Sequence, residues 1–396
     1  MKEELNKKQI VFIEPKPTVT MYRVARSLKQ TGKYETILFS FSELDREFYE
    51  KAYDKIFILD LSHKIKTKDL FDFSKRILNG KVKSFLEKIK KMRPYLFNIT
   101  GPDLFVFMAM SSLIKNPSPK IYYPNDIWGA LKKNYFFTKE FWIKGEFQKF
   151  FEKICFKMAD GVLNKGAPQH LDLLNYSISV PRMALPSYCL DAWMFPPRKK
   201  KNKEIHVAFG ASPAHPLFLG ELSHIEIIKT ITSQKIHLHT YGPCFDEKEN
   251  KIFVKESKKN KYYHFHGLVK PGVLNKEMSK YNYGIFLFFM DPVKGIPFTK
   301  LAKPMLNSKM INYLESGLPI IINKQYEYMA GIIEKHGLGL AIDAEDLKNL
   351  RKILEQKDYS QFQKNIKKFQ KEFCLSKKIK EIEAFYDKIV KIKTPS

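Results

Sequence analysis

The segment running from Asn307 through Ser308, Lys309, Glu315, Gly317 and Pro319 to Asn323 gathers anion-binding and hydroxyl-binding groups on one short element. Asn307 or Ser308 can cap a helix, and Gly317 with Pro319 ends it just before an apolar strand. Ser308 and Glu315 are seven residues apart, about two helical turns, so they share a face with a rise of roughly 10 Å. The helix start offers N–H groups and a positive dipole end to an anion, with Lys309 alongside. A carboxylate at the other end of that face accepts hydrogen bonds from vicinal hydroxyls. Phosphate at one end and ribose at the other match a nucleoside diphosphate; an ordinary capped helix with a solvent-facing glutamate is the plainer reading of the same residues.

The elements that must carry this segment can be read from the hydrophobic pattern. Short apolar runs at 9–14, 35–40, 55–60, 95–100, 120–124 and 161–164 alternate with amphipathic stretches such as 20–30, 68–91 and 139–158. The runs are continuous rather than alternating, the mark of parallel strands covered on both faces. A proline step and charge run at 191–203 interrupts the rhythm, which then restarts with strands at 205–209, 235–241, 262–266, 283–289, 318–322 and 339–342. The expected fold is α/β, with two Rossmann-like domains facing across a cleft. Residues 1–196 are expected to form the first domain and 197–375 the second, with 376–396 a closing helix that packs back on the first. In open parallel sheets ligands bind beyond the carboxyl ends of the strands, so the loops there are where chemistry is expected.

Composition narrows the partners. The 396 residues carry 69 basic and 42 acidic side chains, a net charge of +27. That suggests an anionic partner, yet only eight of the basic residues are arginine, the residue favoured for reading base edges, and no nucleic-acid motif is present. Nucleic acid is therefore not expected. No run approaches the roughly 20 apolar residues of a membrane helix, and the N-terminus does not read as a secretory signal. Four scattered cysteines have neither zinc-finger spacing nor disulfide density, which points to the cytosol. Ten histidines include His264 and His266, whose alternation puts them on one face of a strand. No His, Cys and Asp cluster has metal-ligand spacing, so neither a protein-built metal site nor a cofactor is expected.

The run from Ser308 to Ile322 resembles the donor-binding element of the GT-B glycosyltransferases, especially the large retaining family of bacterial nucleotide-sugar-dependent transferases. Three other stretches resemble that family in the same order: Met158 to Asn164 its last N-domain strand, Asp191 to Pro196 its crossover, and Tyr263 to Gly267 its strand and glycine turn. Carried over, the resemblance implies that Glu315 holds the donor ribose. Ser308 and Lys309 contact the diphosphate, and Asn307 stands where the family has the first glutamate of a pair. Gly267 and Leu268 offer backbone groups to the nucleobase, and Gly210 lets the backbone approach the donor. The family's Arg and Lys pair after the second domain's first strand is not evident here, so Lys300, Lys303 and Lys309 are the candidates for that positive charge; Arg23, at the start of the first helix, is a candidate phosphate or acceptor contact or a surface salt bridge. The usual glycine-rich first loop is replaced by Glu14-Pro-Lys-Pro-Thr-Val-Thr20.

The implied activity is transfer of a sugar from a UDP- or GDP-sugar to a glycan or lipid-linked acceptor, as in cell-surface polysaccharide synthesis. Lysines and a helix start aimed at the departing diphosphate would stabilise its charge. A retaining transferase of this type needs no protein nucleophile, whereas an inverting one needs a base; Asp126, directly after a strand, is the first candidate and Asp103 the second. An epimerase of the same fold, or a degenerate domain acting as a scaffold, are the competing readings. The interleaved aromatics and lysines of 128–158, together with the basic tail, also suggest contact with an anionic membrane at its inner face.

Overall fold

The computed structural model describes residues 7–59, 80–101, 104–125, 127–130, 139–174, 176–198, 204–210, 223–242, 247–289 and 303–394. The chain divides into two compact units, Met1–Pro186 with Lys378–Ser396, and Ser187–Lys377.

The first unit is built on seven parallel strands: β1 (Lys8–Glu14), β2 (Tyr34–Ser40), β3 (Lys55–Ile58), β4 (Leu96–Thr100), β5 (Lys120–Tyr123), β6 (Gly161–Asn164) and β7 (Arg182–Ala184). Their order in the sheet is β3-β2-β1-β4-β5-β6-β7. β4, β5 and β6 are buried throughout, which is why most of their residues are apolar and do not alternate with exposed polar ones. Helices Val19–Gln30, Gly80–Lys91, Leu104–Ser112 and Lys139–Met158 connect them. The glycine-free turn after β1 is organised by a side chain instead. Glu14 is fully buried, and its Oε2 accepts the Thr18 N–H at 2.7 Å and the Thr18 hydroxyl at 3.1 Å, while Tyr53 donates to Oε1 at 3.0 Å. Thr18 then caps the helix by accepting from the Met21 N–H. Burial pushes the Glu14 carboxyl up to about 7.

The end of the chain completes this unit. Within the helix Leu375–Lys393, Tyr386 accepts the Asn98 amide at 2.7 Å, Asp387 accepts from Tyr95, and Lys393 pairs with Asp160 at 2.8 Å. Ile382, Tyr386 and Ile389 are fully buried.

The second unit has six parallel strands: β8 (Ile205–Phe209), β9 (Ile236–Tyr241), β10 (Tyr263–Gly267), β11 (Tyr283–Phe286), β12 (Ile320–Asn323) and β13 (Gly339–Ile342). The order β10-β9-β8-β11-β12-β13 reverses direction between β8 and β11, the crevice where doubly wound sheets bind ligands. The first unit has the same switch between β1 and β4. The helix His224–Ser233 opens with a reciprocal capping box between Ser223 and Glu226.

Two details differ from the sequence reading. β7 spans only three residues, too short to carry a pattern. The division also falls after Pro186 instead of 196. Residues 187–196 are tied to the second unit, where the Leu190 N–H donates to the Glu315 carboxylate at 2.8 Å and the Phe195 N–H to the Glu315 carbonyl at 2.6 Å.

Candidate functional site

The helix Ser308–Glu315 lies between β11 and β12 and begins at the carboxyl-terminal edge of the second sheet. Asn307 is its cap: in extended conformation, it accepts the Lys309 N–H at 3.0 Å through its side chain, and its carbonyl accepts from Met310 at 3.1 Å. Asn307, Ser308 and Lys309 are half-buried at this start, whereas Met310, Ile311, Tyr313, Leu314 and Glu315 are buried. The element is therefore anchored at its C-terminal half and presents only its first turn.

Tyr313 does much of the anchoring. Its hydroxyl donates to the Ile285 carbonyl at 2.5 Å and accepts the Gly210 N–H at 2.8 Å, so it joins the ends of β8 and β11 across the switch point. Burial holds this hydroxyl well above its ordinary range. The ring lies so close to β11 that a Cβ at Gly284 would come within 2.3 Å of Tyr313 Cγ. Gly210 is used in the same way: its N–H is held by Tyr313, and a Cβ there would meet Met278 Sδ at 3.2 Å. Its smallness serves packing beneath the edge.

Glu315 is fully buried. Oε1 accepts the Leu190 N–H at 2.8 Å and Oε2 accepts the Asn275 side-chain amide at 2.7 Å. The carboxylate thus pins the crossover segment and the helix Val273–Met278 to the helix that carries it. The solvent-facing glutamate of the plain capped-helix reading is, in this structure, a buried clamp with protein partners. Asn275 and Tyr313 are the contributors that sequence reading missed; Tyr313 reaches Gly210 across 103 positions of sequence and Asn275 reaches Glu315 across 40, so no local spacing announces either.

The other expected residues fall in three groups. Gly267 ends β10 with φ +68° and open space where a Cβ would stand, and Leu268 after it is 77% exposed. The Gly267 carbonyl accepts the Gly242 N–H at 2.9 Å. This exposed turn is compatible with stacking and backbone contacts to a base. Lys303 instead pairs with Glu327 at 2.6 Å on the surface, and Arg23 is only 1% exposed. Asp103, Asp126 and Lys300 lie outside the described residues. The turn after Asp126 is held firmly: Glu152, fully buried, accepts the Trp128 and Gly129 N–H groups at 2.7 and 2.9 Å and the Tyr176 hydroxyl at 2.9 Å.

That glutamate belongs to the stretch 128–158, read from the sequence as an amphipathic element for a membrane face. Phe151, Glu152, Cys155 and Phe156 are buried in the first unit, while Phe147 and Phe150 are 47% and 55% exposed. The basic tail likewise turns its apolar side into the core. Among the described residues no helix is long and apolar enough to cross a membrane. Linear spacing showed no metal ligands, yet the fold brings Glu204, His206 and His237 together at the opposite edge of the second sheet.

Comparison with known proteins adds the family context. Residues 217–380 match the family model of the glucosyltransferase 3-like C-terminal domain, a stretch that includes the helix Ser308–Glu315 and β9 to β13. No curated protein is matched by sequence. Among solved structures, TarM superposes with a TM-score of 0.63 at 11% identity, covering 98% of this chain and 99% of its own. TcCGT1 in complex with UDP gives 0.58 at 10% identity, covering 97% and 100%. A UDP-N-acetylglucosamine 2-epimerase, described as putative, from Listeria monocytogenes gives 0.54 at 12% identity and 91% of both chains. The resemblance read from the sequence therefore holds at the level of the fold: the chain has the GT-B fold, and residues 217–380 are similar to the glucosyltransferase 3-like C-terminal domain.

Proposed function

We propose that the protein is a glycosyltransferase that takes a sugar from a UDP-sugar and moves it to a glycan or lipid-linked acceptor. One observation carries the reading most. The stretch matching a glucosyltransferase 3-like domain contains the helix Ser308–Glu315, whose open first turn stands at the carboxyl edge of a doubly wound sheet. UDP is favoured over GDP because structural relatives are described in complex with it.

In this reading the diphosphate lies at the helix start, where Ser308 and Lys309 and the helix dipole meet the charge that develops as the nucleotide leaves. The base lies at the exposed Gly267–Leu268 turn. Glu315 acts as a positioning residue, holding the helix in place from behind. Asp126 is the acceptor base for an inverting outcome, with Asp103 second, and Glu152 fixes the turn that follows Asp126.

The test is to incubate the protein with a panel of UDP-, GDP-, ADP- and TDP-sugars and follow release of the free nucleoside diphosphate and of the sugar. Slow hydrolysis of a UDP-sugar, lowered on the order of 10²–10⁴-fold in Asp126→Asn for a base, supports the reading. A changed sugar stereocentre with the nucleotide retained would move the assignment to an epimerase, and binding without turnover to a scaffold. Exposed Phe147 and Phe150 add a second proposal, contact with an anionic membrane face. Vesicles of phosphatidylglycerol should sediment the protein at low salt and lose it at high salt; absence of binding at low salt refutes the contact.

A further inference from the structure

Five of the ten histidines lie on one face of three neighbouring strands of the second sheet: His206 on β8, His237 and His239 on β9, His264 and His266 on β10. The parallel register sets His206 beside His237 and His239 beside His264. Their rings stack at 4.3 and 4.4 Å between centroids, inclined by 10° and 17°. Diagonal bonds cross the stacks. His206 Nδ1 meets His239 Nε2 at 3.0 Å, His239 Nδ1 meets His266 Nε2 at 3.1 Å, and His237 Nδ1 meets His264 Nε2 at 3.1 Å.

Every one of these bonds runs from Nδ1 of one ring to Nε2 of the next. The rings that begin the two chains are His206 and His237, and the nitrogen each has left to offer is Nε2. Glu204, just ahead of β8, comes to 3.6 Å from His206 Nε2. Glu204, His206 and His237 can each present one ligand atom with all three atoms within 4.8 Å of one another. A neutral imidazole has one N–H and one lone pair. If the Nε2 lone pairs of His206 and His237 face an ion, both Nδ1–H groups donate to the next ring, and each later ring repeats the pattern with no clash of two donors.

We propose that Glu204, His206 and His237 form a binding site for a divalent ion of the zinc type, supported by His239, His264 and His266. Imidazole and carboxylate suit zinc and its neighbours, and three protein ligands leave a fourth position to water. The supporting histidines fix ring orientation, as hydrogen-bond partners behind a ligating histidine commonly do. The Glu204 side chain is 63% exposed and that of His206 29%, so the ion reaches the site from solvent. The site stands at the amino-terminal edge of the sheet, with His206 about 13 Å and Glu204 about 20 Å along the chain from Gly210. It is therefore separate from the donor end, and its ion would act on the second unit's sheet rather than on the sugar.

The experiment is a titration of tag-free protein with Co²⁺, read by its visible ligand-field absorption and followed by displacement with Zn²⁺. We expect one equivalent to saturate the spectrum and Zn²⁺ to abolish it. Glu204→Gln and His237→Ala should each weaken binding at least tenfold, and His264→Gln on the order of 10–100-fold as a supporting residue. Circular dichroism checks that each variant is folded; should His237→Ala fail to fold, Glu204→Gln, at an exposed position before the strand, carries the test. No saturable equivalent, or an affinity unchanged in Glu204→Gln, would overturn the proposal and leave a histidine stack that holds no ion beside Glu204.

Discussion

Two buried carboxylates with different surroundings carry the residue-scale account. Glu315 holds two buried donors, the Leu190 N–H and the Asn275 amide. Glu315→Ala strands both, and each orphaned buried donor costs about 1–3 kcal/mol, so the urea midpoint should fall by an amount equivalent to about 3 kcal/mol. A surface glutamate reaching only for ribose would leave that midpoint unchanged. Glu14 makes the opposite kind of claim. Its carboxyl is raised from 4.5 to about 7 by burial, so between those pH values the native state holds more protons than the unfolded state. Stability from this group therefore falls as pH rises from 4.5 through 7 and stays lower above it, by about 3 kcal/mol in total. Denaturant titrations at pH 5 and pH 8 should show the slope in the wild type and a flatter one in Glu14→Gln; equal slopes would contradict the burial argument. Neither role was readable from the residues alone, because what distinguishes a ligand-binding glutamate from a clamp is its partners, and those arrive from distant sequence.

At the scale of elements, the strands were legible because burial on both faces favours short, mainly apolar runs, and the helix Ser308–Glu315 because Asn307 and Gly317 mark its ends. Gly317 is required there twice over: φ is +71°, and a Cβ would fall 2.7 Å from the Phe195 carbonyl oxygen. Illegible from sequence was how the helix is locked, since Tyr313 reaches strand ends far away in the chain. Tyr313→Phe removes the bonds to Gly210 and Ile285 while keeping the ring, and should cost about 1–3 kcal/mol of stability. Gly284→Ala drives a methyl into the same ring and should destabilise by about 1–3 kcal/mol. A calorimetric scan of both variants checks this; wild-type melting would show that the helix is held otherwise. The first loop teaches a related lesson. Lacking glycine, the turn after β1 still forms because the Glu14 carboxyl binds Thr18, a substitution of side chain for backbone freedom that no motif describes.

At the scale of the whole molecule, the two α/β units were legible in the rhythm of strands and the charge run near residue 200, while the boundary moved because the crossover segment is tied to Glu315. The +27 charge is carried largely by lysine, and only Lys309 among the described candidates stands at the proposed diphosphate. The central claim is that this end of the second sheet binds a uridine nucleotide through that helix start. Calorimetric titration of UDP into the wild type and Lys309→Ala tests it most directly, with thermal melting as the control for folding. Saturable binding at one site, stabilising the protein by about 2.7 kcal/mol at a hundredfold excess over Kd, and weakened at least tenfold in a folded Lys309→Ala variant, is the predicted result. Absence of UDP binding, or binding indifferent to Lys309→Ala, would contradict it.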